Sequence, residues 1–165
     1  MGITNIVKIG TGALTLNGTG SHTGSTTVSA GELVANGLLG PTATTVAGGA
    51  RLRGNGVIGG PVTAQLGAEI APGAVGGQPA TLGVGAGLAL QGATLALELS
   101  SNPATGNDKL VMNGGTLALT GVNPLVISLS DGQLGAGTYQ LISGGSATTG
   151  GLVNLSHNLQ GWWCH

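Results

Sequence analysis

Charge is scarce in this sequence. Only 4 Lys and Arg and 5 Asp and Glu occur among 165 residues, for a formal net charge of −1. Without a basic surplus to neutralise phosphates or anionic headgroups, no nucleic-acid partner is expected, and attraction to lipid surfaces has little to act through. Aromatic residues are rarer still: two Trp, one Tyr and no Phe. The single Cys, Cys164, permits neither an internal disulfide nor a thiolate metal cage. No apolar run approaches the roughly 18 residues of a membrane helix, because Gly and Thr punctuate each one. A soluble or surface-displayed chain without a membrane span is therefore expected. Residues 1–10 hold one Lys and no apolar stretch of the kind that forms the core of a secretory signal, so they do not read as one.

What is abundant is Gly, at 35 residues, with 6 Pro. In an unpatterned chain this would suggest low complexity. An apolar share of 41% and the low net charge oppose disorder, because enough Leu, Val, Ile and Ala are present to offset the entropy of ordering.

The pattern decides, and it is a repeat. Leu14, Leu33 and Leu52 fall at intervals of 19, and Ile70 and Leu88 come after them at intervals of 18. Asn17-Gly18, Asn36-Gly37 and Asn55-Gly56 keep the same spacing, continued by Pro72-Gly73 and Gln91-Gly92. A second apolar column runs through Val28, Val46, Val62 and Leu82. Such self-similarity marks a solenoid, in which each unit buries its apolar face only by stacking on its neighbours. The units are rich in Gly, Thr, Val and Asn and alternate with period 2, as in Thr94-Leu95-Ala96-Leu97-Glu98-Leu99, so they are strands rather than helices. The sequence predicts an all-β parallel β-helix of about eight coils of 18–19 residues, a rod on the order of 40 Å long at the usual spacing between strands. The Asn-Gly pairs predict corners at which Gly takes a positive φ and Asn side chains form an amide ladder along the axis. Hairpin turns are the other reading of these pairs.

With the Leu column inward, the preceding residues Ala13, Glu32, Arg51, Glu69 and Gly87 point outward. Glu32, Arg51 and Glu69 then alternate in sign along the stack, which favours a structural use of these charges. Beyond residue 100 the period is lost. Residues 100–108 read as a polar loop, and strands are expected at 109–112, 116–120, 125–129 and 139–142. The chain is read as a single solenoid domain over 1–165, regular over 1–99 and less regular, with wider coils, over 100–165. The terminal Trp162-Trp163-Cys164-His165 differs from everything before it and is expected to cover an end of the stack or to be foreign to it.

The segment Gly12-Ala-Leu-Thr-Leu-Asn-Gly18, with His22-Thr-Gly24-Ser-Thr26-Thr-Val28-Ser-Ala-Gly31-Glu-Leu33, resembles the autotransporter-associated β-strand repeat of large bacterial passenger regions. Gly54-Asn-Gly56-Val-Ile-Gly59-Gly60, with Ala71-Pro72-Gly73 after it, is similar to the stretch directly downstream of such repeats. The likeness is strongest over residues 12–37 and departs at His22, where the family usually has an aromatic. It implies a right-handed parallel β-helix, secreted or on the bacterial cell surface, with a structural, adhesive or display role and no catalytic residues.

The alternatives need chemistry that the sequence does not gather. A polysaccharide-active β-helix requires clustered carboxylates, whereas Glu32, Glu69, Glu98, Asp108 and Asp131 are scattered and Asp108-Lys109 reads as a solvated strand entry. His22, His157 and His165 share no ligand spacing with one another or with Cys164, and Gly83-Val-Gly85-Ala-Gly87 lacks the helix and Lys of a phosphate loop and reads as turns. No catalytic, cofactor or metal residue is assigned, and no enzyme is expected. A carbohydrate-binding β-helix is a further alternative, with extracellular polysaccharide as partner. A third is an ice- or surface-binding Thr array, because Thr26-Thr27-Val28 and Thr44-Thr45-Val46 recur 18 apart. That array is expected to stop after two coils, since Val62 follows Pro61 and Leu82 follows a lone Thr81. Finally, residues 3–9 form an apolar strand with one Lys and no capping helix, so a second copy stacked end to end is the expected partner.

Overall fold

The computed structural model describes residues 4–73, 77–149 and 155–158, with side chains described as far as residue 146. The chain winds as a parallel β-helix with three walls. Its first coil contributes β1 (Ile6–Lys8) and β2 (Ala13–Leu16). The second contributes β3 (Thr26–Val28), β4 (Glu32–Ala35) and β5 (Leu38–Leu39), and the third β6 (Thr44–Val46), β7 (Arg51–Gly54) and β8 (Val57–Ile58). Next come β9 (Val62–Ala64), β10 (Glu69–Pro72) and β11 (Thr81–Val84), then β12 (Leu88–Gln91), β13 (Thr94–Leu99) and β14 (Lys109–Met112). The sixth coil holds β15 (Thr116–Thr120), β16 (Asn123–Leu129) and β17 (Ile142–Gly144), and the seventh β18 (Ala147–Thr149) and β19 (Leu155–Asn158).

The first sheet stacks β1-β3-β6-β9-β12-β15-β18, the second β2-β4-β7-β10-β13-β16-β19 and the third β5-β8-β11-β14-β17. Coil 1 has no strand in the third sheet, where Thr19 makes only an isolated bridge to Leu38. Every pairing between these strands is parallel, as one lap laid on the next requires, and this rules out the hairpin reading of the Asn-Gly pairs.

Alternation with period 2 sends one side chain of each pair inward. Leu33, Leu52, Ile70, Leu82, Leu90, Leu95 and Leu110 are fully buried in one continuous core. Leu14, Leu33, Leu52 and Ile70 do form one column. Its next member is Leu95 rather than Leu88, which pairs with Val62 in the first sheet. The second column also changes: Val28 and Val46 are followed by Ala64, and Leu82 lies in the third sheet opposite Leu110. The displacement of Leu88 and Leu82 comes from residues inserted after Pro72, which break a fixed spacing without breaking the stack, whereas Ala64 keeps the step of 18 and Val62, two places earlier, pairs with Thr44. Steps along the column are 25, 30 and 32 residues from Ile70 to Leu95, Leu125 and His157, so seven coils rather than about eight are described. Regularity therefore ends near residue 72, not 99. The strands expected at 109–112 and 116–120 lie as expected, while those expected at 125–129 and 139–142 lie at Asn123–Leu129 and Ile142–Gly144.

The added residues collect at one corner. Between the second and third sheets the connection is two residues in coils 2 and 3 (36–37, 55–56). It grows to 73–80, 100–108 and 130–141 in the next three coils. The corners elsewhere stay short.

Glycine serves the corners in two different ways. Gly31, between the first and second sheets, has φ +70°, where an L side chain is strained. Gly37 and Gly56, at the Asn-Gly corners, have no positive φ. A Cβ on Gly37 would run into the carbonyl oxygen of Gly18, and one on Gly56 into that of Gly37. Close approach of successive laps, not a left-handed backbone, demands Gly there. Beside them Asn36 Nδ2 donates to Asn17 Oδ1 at 3.1 Å. The expected ladder has this one rung among the described residues, and Asn55 does not extend it. Asn55 is succeeded in register by Gly73, because Pro72 pairs with Gly54, and Gln91-Gly92 belongs to a different corner.

Candidate functional site

The alternating charges on the outer face of the second sheet lie as the sequence predicts, with Arg51 between Glu32 and Glu69 in register. The residue that binds them together leaves no mark in the repeat spacing. Arg53, two places beyond Arg51 on the same face, is only 5% exposed. Its Nη2 donates to Glu69 Oε1 at 2.8 Å, and its Nε lies 3.1 Å from Glu32 Oε2. Arg51 Nε is 3.5 Å from the same Glu69 oxygen, but that side chain is half exposed and its pairing is correspondingly weak. Two cations and two anions thus cancel across three coils. A groove of about 280 Å³ beside them is lined also by Glu98, Asp108 and Ser128.

Asp108 is buried rather than a solvated strand entry. Its Oδ1 accepts from the Ala80 N–H and its Oδ2 from the Glu98 N–H, both at 2.8 Å. Burial pushes its carboxyl above the ordinary value, against the pull of those two bonds. It ties the connection at 73–80 to β13, and both oxygens are occupied in doing so. Gly83 and Val84 belong to β11, so only the remainder of the Gly-rich string is a turn.

The two longest corner loops dock on each other. Tyr139 OH donates to Ser100 O at 2.9 Å and accepts from the Gly135 N–H at 3.0 Å. Asp131 Oδ2 accepts from the Ser101 N–H at 2.8 Å, and hydrogen bonds from Ser101 hold this exposed carboxyl below its usual range. A cleft of about 180 Å³ opens there, lined by Leu99, Asn107, Asp108, Lys109, Tyr139 and Gln140.

At the other end, coil 1 leaves a mouth of about 510 Å³ lined by Ile6, Leu16, Asn17, His22 and Leu39 among others. His22 is buried, with Nε2 2.9 Å from Thr26 Oγ1 and 3.2 Å from Thr42 Oγ1. Lys8 faces inward in register with Val28 and is 7% exposed. Its Nζ donates to the carbonyls of Ile9, Gly10 and Ala30 at 2.7–3.1 Å. Asn123 is likewise buried, its Oδ1 accepting from the N–H groups of Gly92 and Ala93. Sequence reasoning misses Lys8, Arg53 and Asn123 and misreads Asp108, because each needs the register, not the spacing, to show what it touches.

Among the described residues no three His, Cys, Asp or Glu side chains come together to hold a metal ion. His157 pairs through its backbone with Leu125, its side chain not being described, and Trp162, Trp163, Cys164 and His165 lie outside the described residues.

Three parallel walls, a laddered core and charges matched across coils define a β-solenoid of the parallel β-helix class. Within it, residues 6–35 match the passenger-associated-transport-repeat family. The matched segment is coil 1 with the first two walls of coil 2, so the resemblance expected over residues 12–37 is borne out there. No curated protein matches the chain.

Proposed function

We propose that this chain is a non-enzymatic structural segment of a bacterial passenger, secreted or held at the cell surface, that spaces or displays adhesive parts. The observation that carries this reading is that a segment matching the passenger-associated-transport-repeat family forms the first laps of a column with seven described coils. The charges support it, because Glu32, Arg51, Arg53 and Glu69 are joined to one another and both oxygens of Asp108 are taken by backbone. Partnership with a second copy end to end belongs to the same proposal. Among the described residues no strand pairs with the outer edges of β1 and β2, and Leu14 and Leu16 are only partly buried where Leu33 and Ala35 are fully so. Lys8 inside that end already has three acceptors, so a coil laid on it removes no hydrogen bond from the ammonium.

Incubation with acidic and neutral polysaccharides should yield no cleavage products. Turnover that disappears in Glu98→Gln would overturn the structural reading. Negative-stain microscopy at rising concentration should give rods at multiples of one molecular length, and rods of a single length would remove end stacking from the proposal.

A further inference from the structure

The register corrects the Thr array. Thr45 is followed across the first sheet by Thr63, not by the residue before Val62, so Thr27, Thr45 and Thr63 stand in line on three successive strands. Val7 precedes them, and Ala89 and Ala118 continue the line. Every step from Val7 to Ala118 presents a methyl group, and three consecutive steps present a hydroxyl beside it.

None of the nine charged residues points from this face. Lys8 belongs to β1 but turns inward, and Glu32, Arg51, Arg53, Glu69 and Glu98 lie on strands of the second sheet. Asp108, Lys109 and Asp131 lie at the loop corner and the third sheet. The inward neighbours Thr26, Val28, Thr44, Val46, Val62 and Ala64 are buried to 2% exposure or less, so these strands cannot roll, and the outward row keeps the spacing of its coils, about 4.8 Å.

The dimensions and chemistry of the face select its occupant. Six strands of three to five residues make a strip of a few hundred Å², well short of the roughly 800 Å² per partner of a stable protein pair. No aromatic ring lies on the row for a sugar to stack against, and no charge is there to hold an ion. What a rigid, uncharged row of hydroxyls and methyls at a constant step can engage is water already ordered at a constant step. Charged side chains would impose hydration shells of their own, whereas here hydroxyls exchange hydrogen bonds with lattice water and methyls exclude loose water. We propose that the outer face of the first sheet binds ice.

The test is thermal hysteresis and crystal shaping by the purified chain. The wild type should hold faceted crystals below the melting point, and Thr45→Lys, at the centre of the row, should lose that activity with its β-sheet circular dichroism unchanged. Ser128→Lys, the same charge placed on the outer face of the second sheet, should keep it. Thr45→Val, which retains the methyls, should fall between the two. A wild type that neither shapes crystals nor depresses freezing beyond an inert protein of equal mass overturns the proposal, whether or not the Lys variant folds. So does hysteresis that survives Thr45→Lys, or a row whose disruption changes only self-association.

Discussion

The coils before residue 73 and those after it share three walls, one core and one hand-over from sheet to sheet, yet differ by about ten residues per lap. Nearly all the difference sits at the corner between the second and third sheets, with a smaller share in the lengthening of β13 and β16. In the narrow coils that corner is an Asn-Gly pair packed against backbone of the preceding lap. In the wide coils it is a loop that leaves the stack, bonds to its neighbour loop and returns in register. A parallel column therefore tolerates additions where chain can swing outward and none where laps touch.

Four measurements break or sharpen that contrast. The largest effect is expected from Gly56→Ala. The new Cβ meets the Gly37 carbonyl, which cannot withdraw without disturbing two sheets, for a loss of roughly 3 kcal/mol or more in denaturant unfolding. Gly132→Ala, in a wide loop with open space around it, should cost only the strain of φ +80°, about 1–2 kcal/mol. Equal losses at the two sites would erase the distinction between them.

Arg53→Ala comes next. It leaves Glu32 and Glu69 facing a vacated centre and should cost about 2–3 kcal/mol, at or just below the low end of the range for a broken buried pair because both carboxylates are about a quarter exposed. Arg51→Ala should change stability by about 0.5 kcal/mol or less, as a half-exposed partner. Thermal melts of the two variants make the comparison.

Excision of residues 101–106 should be milder, on the order of 1 kcal/mol, since shortening a surface loop alters closure entropy only slowly. Collapse of the β-sheet signal on excision would mean that the loops hold the wide coils together.

The smallest effect is local. Asp131 titrates lower in the folded chain than its ordinary value of 3.8, so its clasp on Ser101 is complete above that value and is lost as pH falls through the lower, folded-state value. Amide exchange at Ser101 should quicken over that window while exchange in β7 stays slow.

The first four coils are legible because a period of 18–19 is visible wherever nothing is inserted, and the column through Leu14, Leu33, Leu52 and Ile70 comes straight from it. Leu95 is hidden behind the connection at 73–80, which no spacing rule can span. The alternating charges emerge one place before each Leu. Arg53 escapes that rule because the same face recurs two places on, and its burial depends on both neighbouring laps. Thr63 is obscured for a related reason, since Val62 imitates Val46 in type but pairs with Thr44. The Gly of the Asn-Gly corners is recognisable in the sequence, but for the wrong cause, a left-handed turn, because crowding between laps leaves no mark on a single copy.

The contact of Gly37 and Gly56 with the lap beneath also makes length a counted quantity. A molecule wound this way gains height only in whole storeys, and half a storey has nowhere to rest. Descent by duplication would thus write itself as integers in the gene, with most of the fractional change gathered on the balcony on one side of the building.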